Sequence, residues 1–393
     1  MLKGKSSKKM NRREFLKAGV LGTTSALLAG SAIAEAAQQY ASIDPFAYPD
    51  PVYRILGRTG MKITVVSFGA MLTPEPEVMK VAFDHGINYV NTARRYMGGK
   101  NEETVGKAIK GLRDKVYVAT KVQTDSNLKA DIIRDVETSL KALGTDYIDV
   151  IQLDANAGKH RIQMPEAREA FTKMKEQGKV RFYGVNTHKN QIEVLNALAD
   201  DSSKFFDIAL VGYNFKSEQE LTDAIARVTR SGIGVIAMKT QAGGYATAAL
   251  GNISPHQAAL KWVLQNPNIT SAVPGMKDLA ELKEDVAVMG MQFKHADQRI
   301  LERYGDAIAS YYCRLCGNCE GSCPQGVEIS TVNRSLMYME GAYRSRELAL
   351  ATYRKIPASA SAAACLDCSG CVARCINGLN IAAKMGRARA LLG

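Results

Sequence analysis

The sequence predicts an α/β protein in which a barrel of eight alternating strands and helices precedes a smaller, mainly α-helical domain. Three observations support this prediction. Short apolar segments rich in β-branched residues alternate eight times with helical patterns between residues 50 and 290. Gly86, Gly144, Gly178 and Gly232 follow predicted helix ends, where a left-handed residue is favoured. All eight cysteines lie near the end of the chain.

The first 34 residues resemble a twin-arginine export signal. They contain Arg12-Arg13-Glu14-Phe15-Leu16-Lys17, a weakly apolar stretch over residues 18–29 and an A-x-A cleavage site ending at Ala34. Glycines break the apolar stretch, which is also too short to span a bilayer. The resemblance implies export through the twin-arginine translocase, a route for folded cargo, to the periplasm or another extracytoplasmic compartment.

The basic charge of the chain comes largely from this segment. Residues 1–34 hold seven Lys or Arg and one Glu, which is half of the net charge of +12. The remaining charge is ordinary, so we expect no nucleic-acid partner. No later segment is long and apolar enough for a transmembrane helix, so we do not expect an integral membrane protein.

The middle of the chain supplies the barrel. The predicted strands are residues 63–68, 88–92, 116–121, 147–153, 180–185, 208–213, 234–238 and 270–273. The predicted helices are residues 76–85, 102–111, 128–143, 165–177, 190–199, 218–231, 255–265 and 278–289. Eight such alternations indicate a (β/α)8, or TIM, barrel. A doubly wound sheet is the alternative, but no G-x-G-x-x-G follows the first strand.

The cysteines form two copies of one spacing, C-x2-C-x2-C-x3-C. The copies are Cys313, Cys316, Cys319 and Cys323, then Cys365, Cys368, Cys371 and Cys375. This thiolate spacing holds [4Fe–4S] clusters, whereas structural zinc, the alternative, usually takes two separated cysteine pairs. The sequence therefore predicts two [4Fe–4S] clusters, with no cysteine left for a disulfide or for nucleophilic catalysis.

The cysteine-bearing domain is similar to two-cluster ferredoxins. In those proteins the fourth cysteine of each run ligates the other cluster. The resemblance implies that Cys375 joins Cys313, Cys316 and Cys319, and that Cys323 joins Cys365, Cys368 and Cys371. Residues 332–353, between the runs, have no proline and one glycine, so we expect them to form a helix.

Polar residues follow the predicted strands, at the end of the barrel where such folds place their chemistry. They are Asn91, Arg94, Tyr96, Lys121, Asp154, Asn186, His188, Tyr213, Asn214 and Lys239. The segments that carry them resemble the aldo/keto reductase family from residue 53 to about residue 288. The matching pieces include RILGRTGMKITVVSFG, GINYVNTARRYMGGKNEETVGKAI, VYVATK, LGTDYIDVIQL, GKVRFYGVN, GIGVIAMK and AVPGMKDLAELKED. The cysteine-bearing tail resembles the branch of that family that carries ferredoxin modules.

The resemblance implies a catalytic tetrad of Asp, Tyr, Lys and His, of which this chain keeps two members. Tyr96 and Lys121 match the Tyr, which donates the proton, and the Lys, which lowers the pKa of the Tyr. Asn91 replaces the Asp, and Asp154 replaces the His that orients the carbonyl. We therefore predict that Tyr96, Lys121, Asp154 and Asn91 form the catalytic site, and that Asp154 pairs with Lys121. An ionised Asp154 would raise the Tyr96 pKa and repel a developing oxyanion, whereas a protonated Asp154 would act as an acid.

The family's nicotinamide site is also altered. The resemblance places Asn186, Tyr213, Lys239, Gly275 and Lys277 at this site. The Ser-Asn that usually follows the fifth strand is Asn186-Thr187 here, and Leu210 replaces a Gln on the sixth strand. The sequence leaves NADP(H) open as a cofactor and identifies the clusters as another source of electrons.

These patterns predict four segments: a signal peptide (1–34), a linker (35–50), the barrel (51–295) and a cluster domain (296–393). The preferred interpretation is an exported iron–sulfur oxidoreductase of aldo/keto reductase ancestry, with a small carbonyl or alcohol substrate and a redox partner protein. One alternative is an NADP-dependent reductase exported with its cofactor. The other is an electron-transfer subunit with an inactive barrel.

Overall fold

Eight parallel strands form a closed barrel in the computed structural model, which describes residues 48–122, 127–246, 250 and 253–393. After the hairpin β1 (Tyr53–Ile55) and β2 (Lys62–Thr64), the barrel strands are β3 (Phe68–Gly69), β4 (Tyr89–Asn91), β5 (Tyr117–Lys121), β6 (Ile148–Asp154), β7 (Val180–Thr187), β8 (Ile208–Gly212), β9 (Gly234–Met238) and β10 (Ser271–Ala272). Neighbours in the chain are neighbours in the sheet, and parallel bridges Val66–Ala272 and Gly69–Gly275 join its two ends. The predicted barrel is therefore confirmed.

In the part of the chain that the structure describes, eight helices alternate with these strands and four more follow them. They are α1 (Pro76–Asp84), α2 (Asn101–Ile109), α3 (Lys129–Leu143), α4 (Pro165–Glu176), α5 (Gln191–Asp200), α6 (Gln219–Arg230), α7 (Pro255–Leu264), α8 (Leu279–Val286), α9 (His295–Ala307), α10 (Ile329–Glu340), α11 (Arg346–Tyr353) and α12 (Ile381–Leu392). Ser254 caps α7 ahead of Pro255, and Asp278 caps α8, as these residue types commonly do. Within the described residues, no helix is both long and apolar enough to cross a membrane.

The predicted first strand, residues 63–68, was wrong in part. Its first half belongs to β2, which pairs antiparallel with β1, and the barrel strand β3 contains only Phe68 and Gly69. The apolar residues between positions 56 and 68 are divided between the hairpin and the barrel strand β3. Leu56, Met61 and Ile63 pack on the apolar interior of the barrel together with Ile208 and Ile236, so the hairpin closes the end of the barrel opposite the strand carboxyl ends.

The predicted export signal lies outside the described residues.

The C-terminal helices share a hydrophobic core with the loop that follows β9. Ala242 and Tyr245 of that loop pack with Tyr304 on α9 and with Leu336 on α10. The Tyr304 hydroxyl donates to the Gln241 carbonyl at 3.1 Å and accepts from the Tyr245 amide at 3.1 Å. This core fixes the helical domain at the carboxyl end of the barrel strands, and residues 49–393 form one compact unit.

The predicted helix over residues 332–353 was wrong in part, because two helices, α10 and α11, share this segment and the helical structure is interrupted between them. The Ala342 amide donates to the Gly243 carbonyl at 2.9 Å, which holds the break against the loop after β9. A Cβ on Gly341 would lie 2.6 Å from the Gly243 oxygen, so the close approach requires glycine there. The Ser345 side chain then caps α11. The single glycine in the segment therefore marks a contact between domains.

Replacing Gly341 by alanine is expected to lower stability by about 1–3 kcal/mol, because the new methyl group would meet the backbone oxygens of Gly243 and Met337. The thermal unfolding midpoint should fall by about 1–4 °C. Gly386→Ala is the matched control, since nothing lies within 4 Å of the added Cβ and the site is inside α12. Equal midpoints for the two variants would contradict this contact.

Candidate functional site

The carboxyl ends of the barrel strands open into a cavity of about 710 Å³. Its barrel side includes Asn91, Tyr96, Asp154, His188 and Lys239. The opposite side comes from the C-terminal domain and includes Leu315, Thr331, Arg334, Tyr338 and Tyr343. The predicted catalytic end of the barrel is thus a chamber between two domains. We call it the barrel cavity.

Lys121, at the end of β5, is held by neutral groups. Its Nζ donates to Asn91 Oδ1 at 2.7 Å and to the Thr92 carbonyl at 2.8 Å, and lies 5.0 Å from the centre of the Tyr96 ring. Only 6% of Lys121 is exposed. Burial lowers the pKa of Lys121 to about 7, although the charge of Asp154 acts in the opposite direction. Lys121 therefore exchanges a proton near neutral pH, unlike an ordinary lysine.

This low pKa predicts a pH-dependent stability. An unfolded lysine keeps its proton up to about pH 10.4, whereas folded Lys121 loses its proton near pH 7. Between these values the folded state binds fewer protons, so this group makes the protein more stable as pH rises. The free energy of unfolding of wild type, relative to that of Lys121→Met, should rise by about 1–3 kcal/mol between pH 6 and pH 9. Thermal unfolding at both pH values measures this difference. A difference that does not change with pH would show that the Lys121 pKa is not lowered.

Asp154, at the end of β6, is held mainly by asparagines. Its Oδ1 accepts from the Asn156 amide at 3.0 Å, and its Oδ2 accepts from Asn156 Nδ2 at 2.7 Å and from Asn186 Nδ2 at 3.3 Å. The bond to the backbone two residues on is an Asx turn, which orients the carboxylate locally. The predicted pairing with Lys121 is therefore corrected: Asp154 acts on Lys121 through its charge, while its hydrogen bonds go to the asparagines.

Tyr96 starts a short turn after β4. Burial raises the pKa of Tyr96, and the nearby phenols Tyr338 and Tyr343 raise it further, against the opposing charges of Arg334 and Arg95. Three of these neighbours belong to the C-terminal domain. The other polar residue predicted in this loop, Arg94, lies away from the chemistry in an ion pair with the buried Asp135.

Four side chains from the two domains form a further group, which we call the phenol–cation group. Arg334 Nε donates to Tyr338 Oη at 2.8 Å, and Lys239 Nζ donates to Tyr343 Oη at 2.5 Å. Lys239 Nζ also lies 4.8 Å from the centre of the Tyr338 ring and 4.3 Å from that of Tyr343. Burial alone would raise the Tyr338 pKa, but Arg334 and Lys239 outweigh it and lower the value to about 8.

Sequence reasoning did not assign Arg334, Tyr338 or Tyr343 to the site. The spacing of Arg334 and Tyr338 places both on one face of a helix, which was the available signal. The face of α10 that contacts the barrel is determined by long-range contacts, and the spacing does not encode them.

The residues predicted to hold nicotinamide are only partly brought together. Gly275 and Lys239 line the barrel cavity, and Asn186 binds Asp154 beside it. Lys277 is paired with Glu281 at 2.7 Å. The predicted place of Tyr213 in the nicotinamide site is corrected, because its ring packs on Trp262 and its hydroxyl bonds Thr222 at 3.1 Å. Tyr213 follows β8 with its side chain turned outward to the helix layer and only 2% exposed.

The cysteines meet in two groups that combine the two runs. Burial, together with the neighbouring thiols Cys319, Cys316 and Cys375, raises the pKa of Cys313 to about 12. These four thiols also line one small cavity, and we call them the proximal site. Cys365 interacts in the same way with Cys323, Cys368 and Cys371, which we call the distal site.

The donor set fits an iron–sulfur cluster better than a single ion. In the part of the chain that the structure describes, no three His, Cys, Asp or Glu side chains converge closely enough to hold one metal ion. Structural zinc brings four sulfurs to about 2.3 Å from one centre. Four thiols spread around a small cavity instead suit a larger, thiolate-held group.

The proximal site adjoins the barrel cavity. A second cavity, of about 230 Å³, is lined by Cys313 and Cys316 and also by His188, Lys239 and Tyr338. The last three residues line the barrel cavity as well. The phenol–cation group therefore lies between the cysteines and the barrel residues.

Comparison with known families agrees with this two-part architecture. Residues 75–250 match the aldo/keto reductase family. The chain carries an aldo/keto reductase domain. Residues 312–379 match a 4Fe-4S dicluster domain. The predicted fold class is confirmed for both parts, and so is the prediction that the protein is an oxidoreductase.

Individual relatives match the aldo/keto reductase domain rather than the whole chain. Uncharacterized oxidoreductase YqkF of Bacillus subtilis is 27% identical over 275 residues, covering 59% of this chain and 89% of the relative. Aldo-keto reductase YhdN of the same organism is 37% identical over 135 residues, 31% of this chain, and the match spans only 40% of the relative. The structure of an aldo-keto reductase from Klebsiella pneumoniae in complex with NADPH matches with a TM-score of 0.55 and 26% identity, over 65% of this chain and 95% of that chain.

Proposed function

We propose that this protein is an exported iron–sulfur oxidoreductase that acts on a small carbonyl or alcohol compound in the barrel cavity. When bound, two [4Fe–4S] clusters would supply or accept electrons one at a time. The observation that carries the proposal is the position of the proximal site. Cys313 and Cys316 line a cavity that shares His188, Lys239 and Tyr338 with the barrel cavity. A cluster domain docked on the other end of the barrel would have no such connection.

Each cysteine group would hold one cluster. Cys313, Cys316, Cys319 and Cys375 would ligate the cluster nearer the substrate, and the distal site would ligate the other. Cys313 and Cys319 are buried, whereas the cysteines of the distal site are all partly exposed. The distal site is therefore the side where we expect the redox partner protein to bind.

The residues of the barrel cavity would manage protons. Reduction of one carbonyl to an alcohol consumes two electrons and two protons, so a proton source is needed beside the substrate. Lys121, with a pKa of about 7, and Tyr338, with a pKa of about 8, exchange protons near neutral pH. Tyr96, whose pKa burial raises, keeps its proton and can donate a hydrogen bond to a substrate oxygen.

An NADP-dependent reductase is the second candidate, favoured by the match to a structure in complex with NADPH. Gly275 lines the barrel cavity, and the buried Asn186 Oδ1 has no hydrogen-bond partner among the described residues, so part of a nicotinamide site is present. The geometry at Tyr213 and Lys277 argues against it, because the Tyr213 ring packs in the helix layer and Lys277 is paired with Glu281.

An anaerobic titration with NADPH separates these candidates. We expect that NADPH neither binds the cluster-loaded protein in calorimetry nor bleaches its visible absorbance, since the nicotinamide residues are engaged elsewhere. Binding with bleaching would establish the NADP-dependent reductase instead. If NADPH does not bind and no substrate reoxidises the reduced clusters, the protein is an electron-transfer subunit.

Export remains part of this proposal, supported by the twin-arginine pattern in residues 1–34. Replacing Arg12 and Arg13 together by lysine should retain the protein in the cytoplasm. Fractionation of cells that produce wild type and variant measures this, with the N-terminal sequence of the exported protein expected to begin after Ala34. Equal export of the two would contradict the twin-arginine route.

A further inference from the structure

Two cations in the barrel cavity lack a charged partner. Lys239 Nζ donates to Tyr343 Oη, and Arg334 Nε donates to Tyr338 Oη. Among the described residues, neither cation has a carboxylate in an ion pair, and Arg334 Nη1 and Nη2 have no protein acceptor. A partly buried guanidinium without a counter-ion is costly, and proteins normally satisfy such donors.

The other charged groups around the cavity form no ion pair with these two, although the charge of Asp154 stabilises the Arg334 cation from a distance. Lys189, on the rim, is close to both Glu320, at 3.5 Å, and Glu328, at 3.7 Å. The Asp154 carboxylate, the nearest acid to the substrate position, is held by Asn156 and Asn186. Cations therefore outnumber carboxylates on the walls: Arg95, Arg161, Lys189, Lys239, Arg334 and Lys355 line the cavity with Asp154 and Glu328.

A third polar group faces the same space. The buried His188 Nδ1 has no hydrogen-bond partner among the described residues. His188 lines the cavity beside Lys239 and Arg334, and burial together with their positive charges lowers its pKa. It is a neutral imidazole at physiological pH, so it adds a polar but uncharged group to the cavity wall.

We infer that Arg334 and Lys239 form a carboxylate-binding subsite, so that the ligand of the barrel cavity is a carbonyl or hydroxy compound that carries a carboxylate. The inference rests on the proposed function only where it calls this ligand the substrate. Arg334 offers a planar pair of N–H donors that matches a carboxylate, and Lys239 adds a mobile ammonium. Because Arg334 belongs to the cluster domain and Lys239 to the barrel, the barrel domain alone would lack the paired donors of this subsite.

The geometry also orients the ligand. Arg334, Tyr338 and Tyr96 line the same cavity, so a ligand whose carboxylate binds Arg334 can also reach Tyr96. The cavity volume of about 710 Å³ falls within the usual range for small-molecule sites, so the ligand can be considerably larger than a three-carbon acid.

Calorimetric titration of the oxidised, cluster-loaded protein with oxamate tests the inference, because oxamate carries a carboxylate and is not turned over. Oxamide is the neutral control probe, and inorganic phosphate tests the alternative anion. We expect oxamate to bind, oxamide to bind at least tenfold more weakly, and phosphate not to displace oxamate. Arg334→Gln and Lys239→Gln should each weaken oxamate binding at least tenfold, which is about 1.4 kcal/mol.

Arg346→Gln is the matched control, since Arg346 is an exposed cation of the same domain that does not line the cavity. It should leave oxamate affinity within about twofold, because a distant surface charge is screened. Arg334→Lys keeps the charge but loses the paired donors, and should lie between wild type and Arg334→Gln. Visible absorbance of each variant verifies that the clusters and the domain are intact.

Equal affinity for oxamate and oxamide, or equal weakening by Arg334→Gln and Arg346→Gln, would overturn the inference. Tighter, Arg334-dependent binding of phosphate would replace the carboxylate with a phosphate ligand and so overturn it as well. Failure of the proposed function gives a different result. In that case oxamate binds through Arg334, but no carbonyl compound reoxidises the reduced clusters.

Discussion

Replacing Cys375 by alanine is expected to abolish electron exchange with the barrel cavity, although Cys375 belongs to the second cysteine run. Its thiol lies with Cys313, Cys316 and Cys319 around one small cavity, so its loss removes a ligand of the proximal site. Iron content should fall by about half, from eight to four per chain, because the distal site keeps its own four thiols. Reoxidation of the reduced protein by substrate should slow more than about 100-fold.

Cys323→Ala is the matched variant. Cys323 belongs to the first run but interacts with Cys365 of the distal site. This variant should also lose about half of its iron, yet the proximal site should still pass its single electron to the barrel cavity. Substrate should therefore still reoxidise the reduced protein, with two chains supplying the two electrons for each alcohol formed. The reverse pattern, with coupling lost in Cys323→Ala and kept in Cys375→Ala, would show that each run ligates its own cluster.

The second large effect is expected from restoring the family's tetrad with Asn91→Asp and Asp154→His together. A carboxylate at position 91 would replace the amide oxygen that lies 2.7 Å from Lys121 Nζ, and such a partner raises a lysine pKa by about 1–3 units. Gln152, which now accepts from Asn91 and whose Nε2 has no partner among the described residues, can turn its amide over to donate to the new carboxylate.

Loss of the Asp154 charge should also favour carbonyl reduction, although it removes a charge that raises the Lys121 pKa. An ionised carboxylate beside the substrate repels the negative charge that develops on a carbonyl oxygen, whereas an imidazole can donate to it. The double variant should reduce simple neutral aldehydes at least tenfold faster than wild type, measured with chemically reduced protein under anaerobic conditions. Asp154→Asn separates loss of charge from gain of the imidazole. No gain in the double variant would show that these two positions do not set the chemistry.

Periodicity was sufficient to predict the barrel because each strand and helix buries a regular apolar face. The predicted helix over residues 165–177 and α4 (Pro165–Glu176) differ by a single residue at the end. The error at residues 63–68 came from one apolar run that serves two structures, since Ile63 closes the barrel and Phe68 belongs to its wall. Periodicity records that a residue is apolar, but not which surface buries it.

The site was less predictable because half of it comes from another domain. Lys121 and Asn91 adjoin because β4 and β5 are neighbours in the sheet, so a family pattern within the barrel located them. Arg334 and Tyr338 reach the cavity only because Gly341 allows α10 to rest against the loop after β9. A cluster motif indicates that a domain binds metal, but it does not encode where that domain docks.

The central claim is that the barrel cavity receives its electrons from the cysteine sites rather than from nicotinamide. The most direct measurement mixes protein with chemically reduced clusters and a carboxylate-bearing carbonyl compound, without any nicotinamide, and follows cluster absorbance and product together. We predict reoxidation of both clusters, with one alcohol formed for every two electrons that the clusters lose. Product that forms only when NADPH is added, with the clusters remaining reduced throughout, would contradict it.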